Sequence, residues 1–397
     1  MEKSGFTFAE SSYKNEILMN GRSIFTPRNL IGFILIVLFS FEKAAHAADP
    51  WPDDKSVFPD KHWAKKNPKD VGMDDKKLDA FRKATEAKEG CIIRHGHLVY
   101  QWGEISTVRR FASAYKPVNS TMLLFALKEG LIDSVDDQIR PWVQKVFSDK
   151  DLVEKDRTMT FRHLCNMTSG YALPENPGDA WGYNDRGIAL KRMLLYGFDK
   201  SGNGHYGVFN EGSEEAQRNP NRLGALQFED NPDFKGGSGE LSVRDFARIG
   251  WFWHNKGNWK GLQLLPRSYF DDYMKSQVPT KLPRTQGGEN EYLGVWPEGG
   301  GTNQTPHGPG AYGFNWWFNP DHRLLKDVPS DIIHANGNWN KRALTIFPSL
   351  DMVVVWNEGP WGQDGEGLDV IPDLNNMLKL LVEAVVDAGT KKKRLHP

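Results

Sequence analysis

Residues 111–133 read FASAYKPVNSTMLLFALKEGLID. Val118, Met122, Leu123, Ala126 and Leu127 recur at the three- and four-residue intervals of one helix face. Gly130 supplies a stop in the left-handed conformation. Pro117 is tolerated because backbone N–H groups in a first turn have no partner within the helix. The spacing predicts a helix over Ser113 to Lys128, with Ser113 at or just before its N-terminus. Ser113 and Lys116 are three residues apart, so the lysine can reach the hydroxyl. A helix N-terminus also favours negative charge developing on that oxygen. Serine is a poor nucleophile until a neighbour takes its proton. A lysine does so when burial lowers its pKa, or it stays charged and stabilises the alkoxide. The pattern alone is weak, because Ser11-Ser12-Tyr13-Lys14 has it too, and a plain helix cap is the competing role for Ser113.

Around this helix the chain has 397 residues, 39% hydrophobic and 25% charged, which excludes bulk disorder, collagen and coiled coil. Its 50 basic and 51 acidic residues leave no basic field for a phosphate backbone, so no nucleic-acid partner is expected. Cys91 and Cys165 are too few for a disulfide framework or a four-cysteine zinc site. A bridge between them and two buried thiols both remain open. Leu30 to Phe41 is an apolar run, preceded by Arg22 and Arg28 and followed by Ala45-His46-Ala47. That order reads as a secretory signal peptide over residues 1–47, with a retained anchor as the alternative. The expected mature chain, residues 48–397, is periplasmic or extracellular and has no membrane association after cleavage.

Cys91–Arg94 and Leu98–Trp102 flank His95-Gly96-His97 as a β-hairpin. Asp74–Lys88, Phe161–Met167, Ser242–Asn255 and Leu368–Val386 read as helices. Residues 171–235 read as mostly irregular, and 280–312 as a long glycine-rich loop. Gly313–Phe318, Arg342–Phe347 and Met352–Trp356 read as strands. No linker divides the mature part. The expected fold is therefore α+β: an antiparallel sheet built from both chain ends and flanked by helices. A mainly helical and irregular subdomain is inserted at about residues 130–235. His95 and His97 sit at a turn without a third ligand at suitable spacing, so no metal is expected. Trp251, Trp253, Trp259, Trp316 and Trp317 suit either core and pocket wall or a stacking platform.

The stretch at 111–133 resembles the nucleophile helix of the serine β-lactamase and penicillin-binding-protein superfamily, whose signature includes S-x-x-K. FRHLCNMTSG, GGSGELSVRDFARIGWFWHNKGNWKGLQLLP, YGFNWWFN and FPSLDMVVVWN resemble later blocks of that superfamily, in the expected order from about residue 70 to 385. The class C β-lactamase-like branch is the most similar, with its esterases, D-amino-acid peptidases and 6-aminohexanoate-dimer hydrolases. The resemblance implies Ser113 as nucleophile, Lys116 as its partner, and Tyr183 as a base from the Tyr-x-Asn element. Asp185 stands where that element usually has Asn. A tyrosine releases its proton near pH 10 and needs a neighbouring positive charge, which Lys116 could supply. The third element, usually Lys-Thr-Gly, falls on His334-Ala335-Asn336-Gly337-Asn338, and its register is open. With Gly337 as the family glycine, Ala335 takes the lysine position and His334 is adjacent. The Asn338 N–H would then complete an oxyanion hole with that of Ser113, an arrangement that contributes roughly 3–4 kcal/mol to a transition state. Lys341 or Arg342 could replace the missing cation. A satisfied strand histidine is the competing role for His334.

These readings point to an exported serine hydrolase without cofactor or metal. It would cleave a small ester or amide, or a peptidoglycan-type peptide, through an acyl-enzyme on Ser113. A true β-lactamase or DD-peptidase, and an inactive hydrolase-shaped binding protein, are the alternatives. The sequence does not specify an oligomeric state.

Overall fold

The computed structural model of the protein describes residues 56–147, 151–197, 207–232, 239–288, 301, 305–359 and 371–386. The expected signal peptide lies outside them. Seven strands form one antiparallel sheet: β1 (Glu89–Arg94), β2 (His97–Trp102), β3 (Tyr312–Gly313), β4 (Trp316–Phe318), β5 (Ile333–Gly337), β6 (Arg342–Phe347) and β7 (Met352–Asn357). Their spatial order is β2-β1-β7-β6-β5-β4-β3. The two ends of the chain meet where β1 pairs with β7, with Cys91 opposite Val355 and Ile93 opposite Val353. The expected α+β sheet is thus observed.

Period-two alternation divides the strand side chains between two cores. Ile93, Leu344, Ile346, Val353 and Val355 face helices α2 (Lys116–Lys128) and α4 (Val243–His254). Ile92, Ala343, Phe347, Val354 and Trp356 face α1 (Asp75–Thr85) and α5 (Ile371–Glu383). Each buried aliphatic side chain contributes about 1.5–3 kcal/mol of transfer free energy. Helix α4 lies close on the sheet because Gly250 has no side chain; a methyl there would come within 2.7 Å of Val353 Cγ1. Its N-terminus is capped as the sequence suggested, with Ser242 accepting a hydrogen bond from the Asp245 N–H. Cys91 and Cys165 are buried free thiols rather than a bridge.

Three expectations need amendment. Residues 171–235 are irregular over most of their described length, as expected, but they also hold two helices that the sequence reading did not name: α3 (Asp185–Tyr196) and the short helix Gly212–Arg218. Helix α3 forms because Asn184 caps it, accepting from the Gly187 N–H at 2.9 Å, while Ile188, Leu190, Leu194 and Leu195 turn inward. The glycine and asparagine that suggested irregularity are its cap and first turn. Second, the segment read as one strand over 313–318 is a tight hairpin, β3–β4, because Phe314 and Asn315 are left-handed. Third, α2 starts at Lys116, and Ser113 sits in a preceding 3-10 turn, Ala112–Tyr115.

Candidate active site

The 3-10 turn puts Ser113 one turn ahead of Lys116, and Lys116 Nζ donates to Ser113 Oγ at 2.8 Å. The same ammonium donates to Tyr183 Oη at 2.8 Å and to the Asp185 carboxylate. A lysine ammonium has three hydrogens. Here all three can find acceptors, and one of those acceptors, the Asp185 carboxylate, is a counter-ion that favours the charged form. Burial by itself pulls the Lys116 pKa down, but the Tyr183 oxygen and the Asp185 carboxylate outweigh it and hold the group above the usual lysine value. Of the two roles the sequence left open for Lys116, the geometry supports the charged one.

Tyr183 and Asp185 reach Lys116 from either side of the α3 cap. Asn184, between them, is pinned by its Nδ2 donating to the Tyr171 carbonyl at 2.7 Å. The Asp185 N–H donates to the Gly301 carbonyl at 3.0 Å. The Tyr183 ring has Lys116 Nζ 4.2 Å from its centroid and Trp317 stacked beside it at 6.2 Å.

Gly337 ends β5 directly against the Ser113 turn. A methyl on it would lie 2.3 Å from the Phe111 carbonyl oxygen and 3.0 Å from the Ala114 nitrogen. This close approach leaves room only for glycine at this position, which fits the register in which Gly337 is the glycine of the third element. Ala335 then occupies the lysine position, fully buried in the α2-side core. Arg342 pairs with Gly337 across β5–β6, and it rather than Lys341 lines the cavity. Asn338 follows Gly337 in a left-handed conformation, φ 52°.

His334 is buried with both ring nitrogens engaged: Nε2 donates to Asn340 Oδ1 at 2.9 Å, and Nδ1 accepts from the Thr345 hydroxyl at 2.8 Å. Burial pushes its pKa down to about 4, so the ring is neutral at neutral pH. With no free nitrogen, His334 is the satisfied strand histidine rather than an acid or base.

One cavity of about 710 Å³ opens here. Ser113, Lys116, Tyr183, Asp185, His334 and Asn338 line it, and Trp317 forms part of its wall. Trp251, Trp253, Trp259 and Trp316 are core instead. Among the described residues, Asp185 is the only carboxylate bordering the cavity, against the guanidinium groups of Arg110, Arg192 and Arg342. Arg110 and Arg192 were missed in the sequence. Arg192 could have been found only by recognising α3; Arg110, three residues before Ser113, carries no motif. Among the described residues, no group of three His, Cys, Asp or Glu side chains is arranged to hold a metal ion. Nor is any helix among them long and apolar enough to cross a membrane.

Residues 90–201, which include Ser113, Lys116, Tyr183 and Asp185, match the Beta-lactamase family. No curated protein matches the chain. Solved structures with a similar fold include a putative 6-aminohexanoate-dimer hydrolase from Bacillus anthracis. It has 16% identity and a TM-score of 0.52, and the match covers 83% of this chain and 89% of that one. The unliganded simvastatin synthase (LovD) from Aspergillus terreus is similar at 15% identity and a TM-score of 0.53, covering 79% of this chain and 98% of that one. A class C β-lactamase from Rhodobacter sphaeroides is similar at 12% identity and a TM-score of 0.50, covering 78% and 98%.

Proposed function

We propose that this chain, whose residues 90–201 match the Beta-lactamase family and whose fold is shared with the similar solved structures, is a member of the serine β-lactamase and penicillin-binding-protein superfamily and an exported serine hydrolase acting on a small ester or amide through an acyl-enzyme. One observation carries the reading: a single buried ammonium, Lys116, bonds Ser113, Tyr183 and Asp185 together at the cavity. In this mechanism Ser113 Oγ attacks the substrate carbonyl, and its proton passes to Tyr183. Lys116 stabilises negative charge on whichever oxygen has released the proton. The N–H groups of Ser113 and Asn338 receive the oxyanion. Collapse expels the alcohol or amine, which takes the proton from Tyr183. Water then attacks the acyl carbon, returning the proton to Ser113.

The lining favours a substrate bearing an acidic group. Arg342, Arg110 and Arg192 border the cavity, where Asp185 is the only carboxylate among the described residues; behind the lining, Arg342 has Glu358 at 3.7 Å and Arg110 lies opposite Glu240. Such a field attracts anions despite a net charge of −1 for the whole chain. A peptidoglycan-type peptide or a compact acidic ester fits that description. The leader at residues 1–47 supports a periplasmic or extracellular location. A dedicated β-lactamase is less well supported, because Ala335 stands in the lysine position.

Turnover of p-nitrophenyl butyrate by the wild type, abolished in Ser113→Ala, is the expected result. Equal turnover by Ser113→Ala would remove the proposal. A chromogenic cephalosporin hydrolysed faster than the ester would favour the β-lactamase reading instead.

A further inference from the structure

The β5–β6 hairpin turns through three consecutive non-glycine residues in the left-handed region: Asn338 at φ 52°, Trp339 at 55° and Asn340 at 64°. Asparagine tolerates this conformation, but a bulky residue such as tryptophan rarely adopts it. Conformations of this kind persist only where the surroundings over-determine them, and they gather at functional sites. This turn directly follows Gly337, which abuts the Ser113 turn, and both Asn338 and Trp339 border the cavity.

The bonds that over-determine the turn converge on Asn340. Its side-chain oxygen accepts from His334 Nε2 at 2.9 Å. Its N–H donates to Asn336 Oδ1 at 3.0 Å. Its carbonyl accepts from Trp356 Nε1 at 2.9 Å. His334 in turn is fixed by Thr345 on the neighbouring strand, its register partner. The Lys341 N–H closes the turn on the Asn338 carbonyl at 3.1 Å. Asn338 itself is exposed, and among the described residues no hydrogen bond of its side chain holds it. Its orientation is therefore set from the far end of the turn.

We infer that His334 is a positioning residue: acting through Asn340, it holds the left-handed turn that aims the Asn338 N–H at the oxyanion. This deepens the serine-hydrolase reading and rests on it. With both ring nitrogens engaged, the imidazole offers the cavity no free donor or acceptor. It provides a rigid donor on one side and an acceptor on the other, joining the strand to the turn across the floor of the cavity. A misaimed oxyanion donor weakens transition-state binding more than ground-state binding.

The test compares wild type with His334→Leu and Asn340→Gly, using p-nitrophenyl butyrate kinetics and inhibition by phenylboronic acid, whose serine adduct mimics the tetrahedral intermediate. Asn340→Gly keeps a residue suited to the left-handed conformation while deleting the acceptor, so it serves if His334→Leu folds poorly by circular dichroism. The expected result is a fall in kcat of about tenfold to a hundredfold in each, with KM little changed and boronate affinity falling in parallel. The double variant should be no worse than the poorer single one, because both cut the same connection. His334→Gln, which can both donate and accept, should recover part of kcat. A folded Asn340→Gly with wild-type kcat and boronate affinity would overturn the positioning role, as would losses confined to KM. If Ser113→Ala remains active, the serine-hydrolase reading itself has failed, and that is a separate outcome.

Discussion

Gly337 approaches Phe111 so closely that a methyl group on its Cα would stand 2.3 Å from the Phe111 carbonyl oxygen. The obstacle is backbone, which cannot swing aside as a flexible side chain can. The strand end and the nucleophile turn are therefore fitted to each other, and the gap between them leaves no room for a side chain.

The first prediction follows from that fit. Gly337→Ala should push β5 away from the Ser113 turn. Overpacking of this kind costs about 1–3 kcal/mol of stability. The effect on kcat should be larger than on thermal stability, at roughly a hundredfold, because a displacement of about 1 Å separates the two oxyanion donors. Ester kinetics alongside thermal unfolding would check it. Wild-type kcat in this variant would mean that the contact has no catalytic importance.

Asp185 replaces the asparagine usual at its position, and its carboxylate is one of the groups holding Lys116 charged, after the Tyr183 oxygen. Asp185→Asn removes that support while keeping the shape. Lys116 should then lose its proton at lower pH, and the alkaline limb of kcat/KM should move to lower pH. A pH–rate profile measures this directly. An unmoved limb would show that Asp185 does not set the lysine's charge.

Arg342 should matter according to the charge of the substrate. Arg342→Met is expected to raise KM about tenfold for an ester carrying a carboxylate, the loss of one charge-assisted contact, and to leave a neutral ester of the same size almost unaffected. Equal effects on both would remove the acidic-substrate assignment.

His334 also predicts how stability varies with pH. Its folded pKa, about 4, lies below the usual histidine value of about 6.5, because burial disfavours the charged ring. The unfolded chain therefore binds a proton first as pH falls. The contribution of His334 to stability is fully present above about pH 6.5 and is lost progressively down to about pH 4. Urea midpoints at pH 7 and pH 4.5 should differ less in His334→Gln than in wild type. An identical difference in the two would contradict the assignment.

The sequence announced what depends on periodicity. Arg342–Phe347 is a short, mostly apolar run and is β6 as read; Val118, Met122 and Leu123 repeat at helical spacing and are buried in α2. The S-x-x-K spacing brought Ser113 and Lys116 into contact, and Tyr183 and Asp185 joined them across the fold. Features that depend on tertiary packing were not legible. Helix α3 was hidden by Gly182, Asn184 and Gly187, whose roles as approach to the cap, cap and first turn appear only once its apolar face has a core to meet. The left-handed turn at 338–340 has Asn338 and Asn340 as its only local signal, and nothing in the sequence marks Trp339 between them as left-handed. The partners of His334, Thr345 and Asn340, come from an adjacent strand and a turn, and no spacing rule connects them.

If the Ser113 hydroxyl, bonded to the Lys116 ammonium, is the nucleophile, the folded protein should react with a fluorophosphonate at that residue, as read by peptide mass mapping. A single phosphonyl adduct on Ser113 is expected, formed quickly in wild type, slowly in Lys116→Met and not at all in Ser113→Ala. Folded wild-type protein that stays unlabelled, or an adduct on another residue, would contradict that role of Ser113.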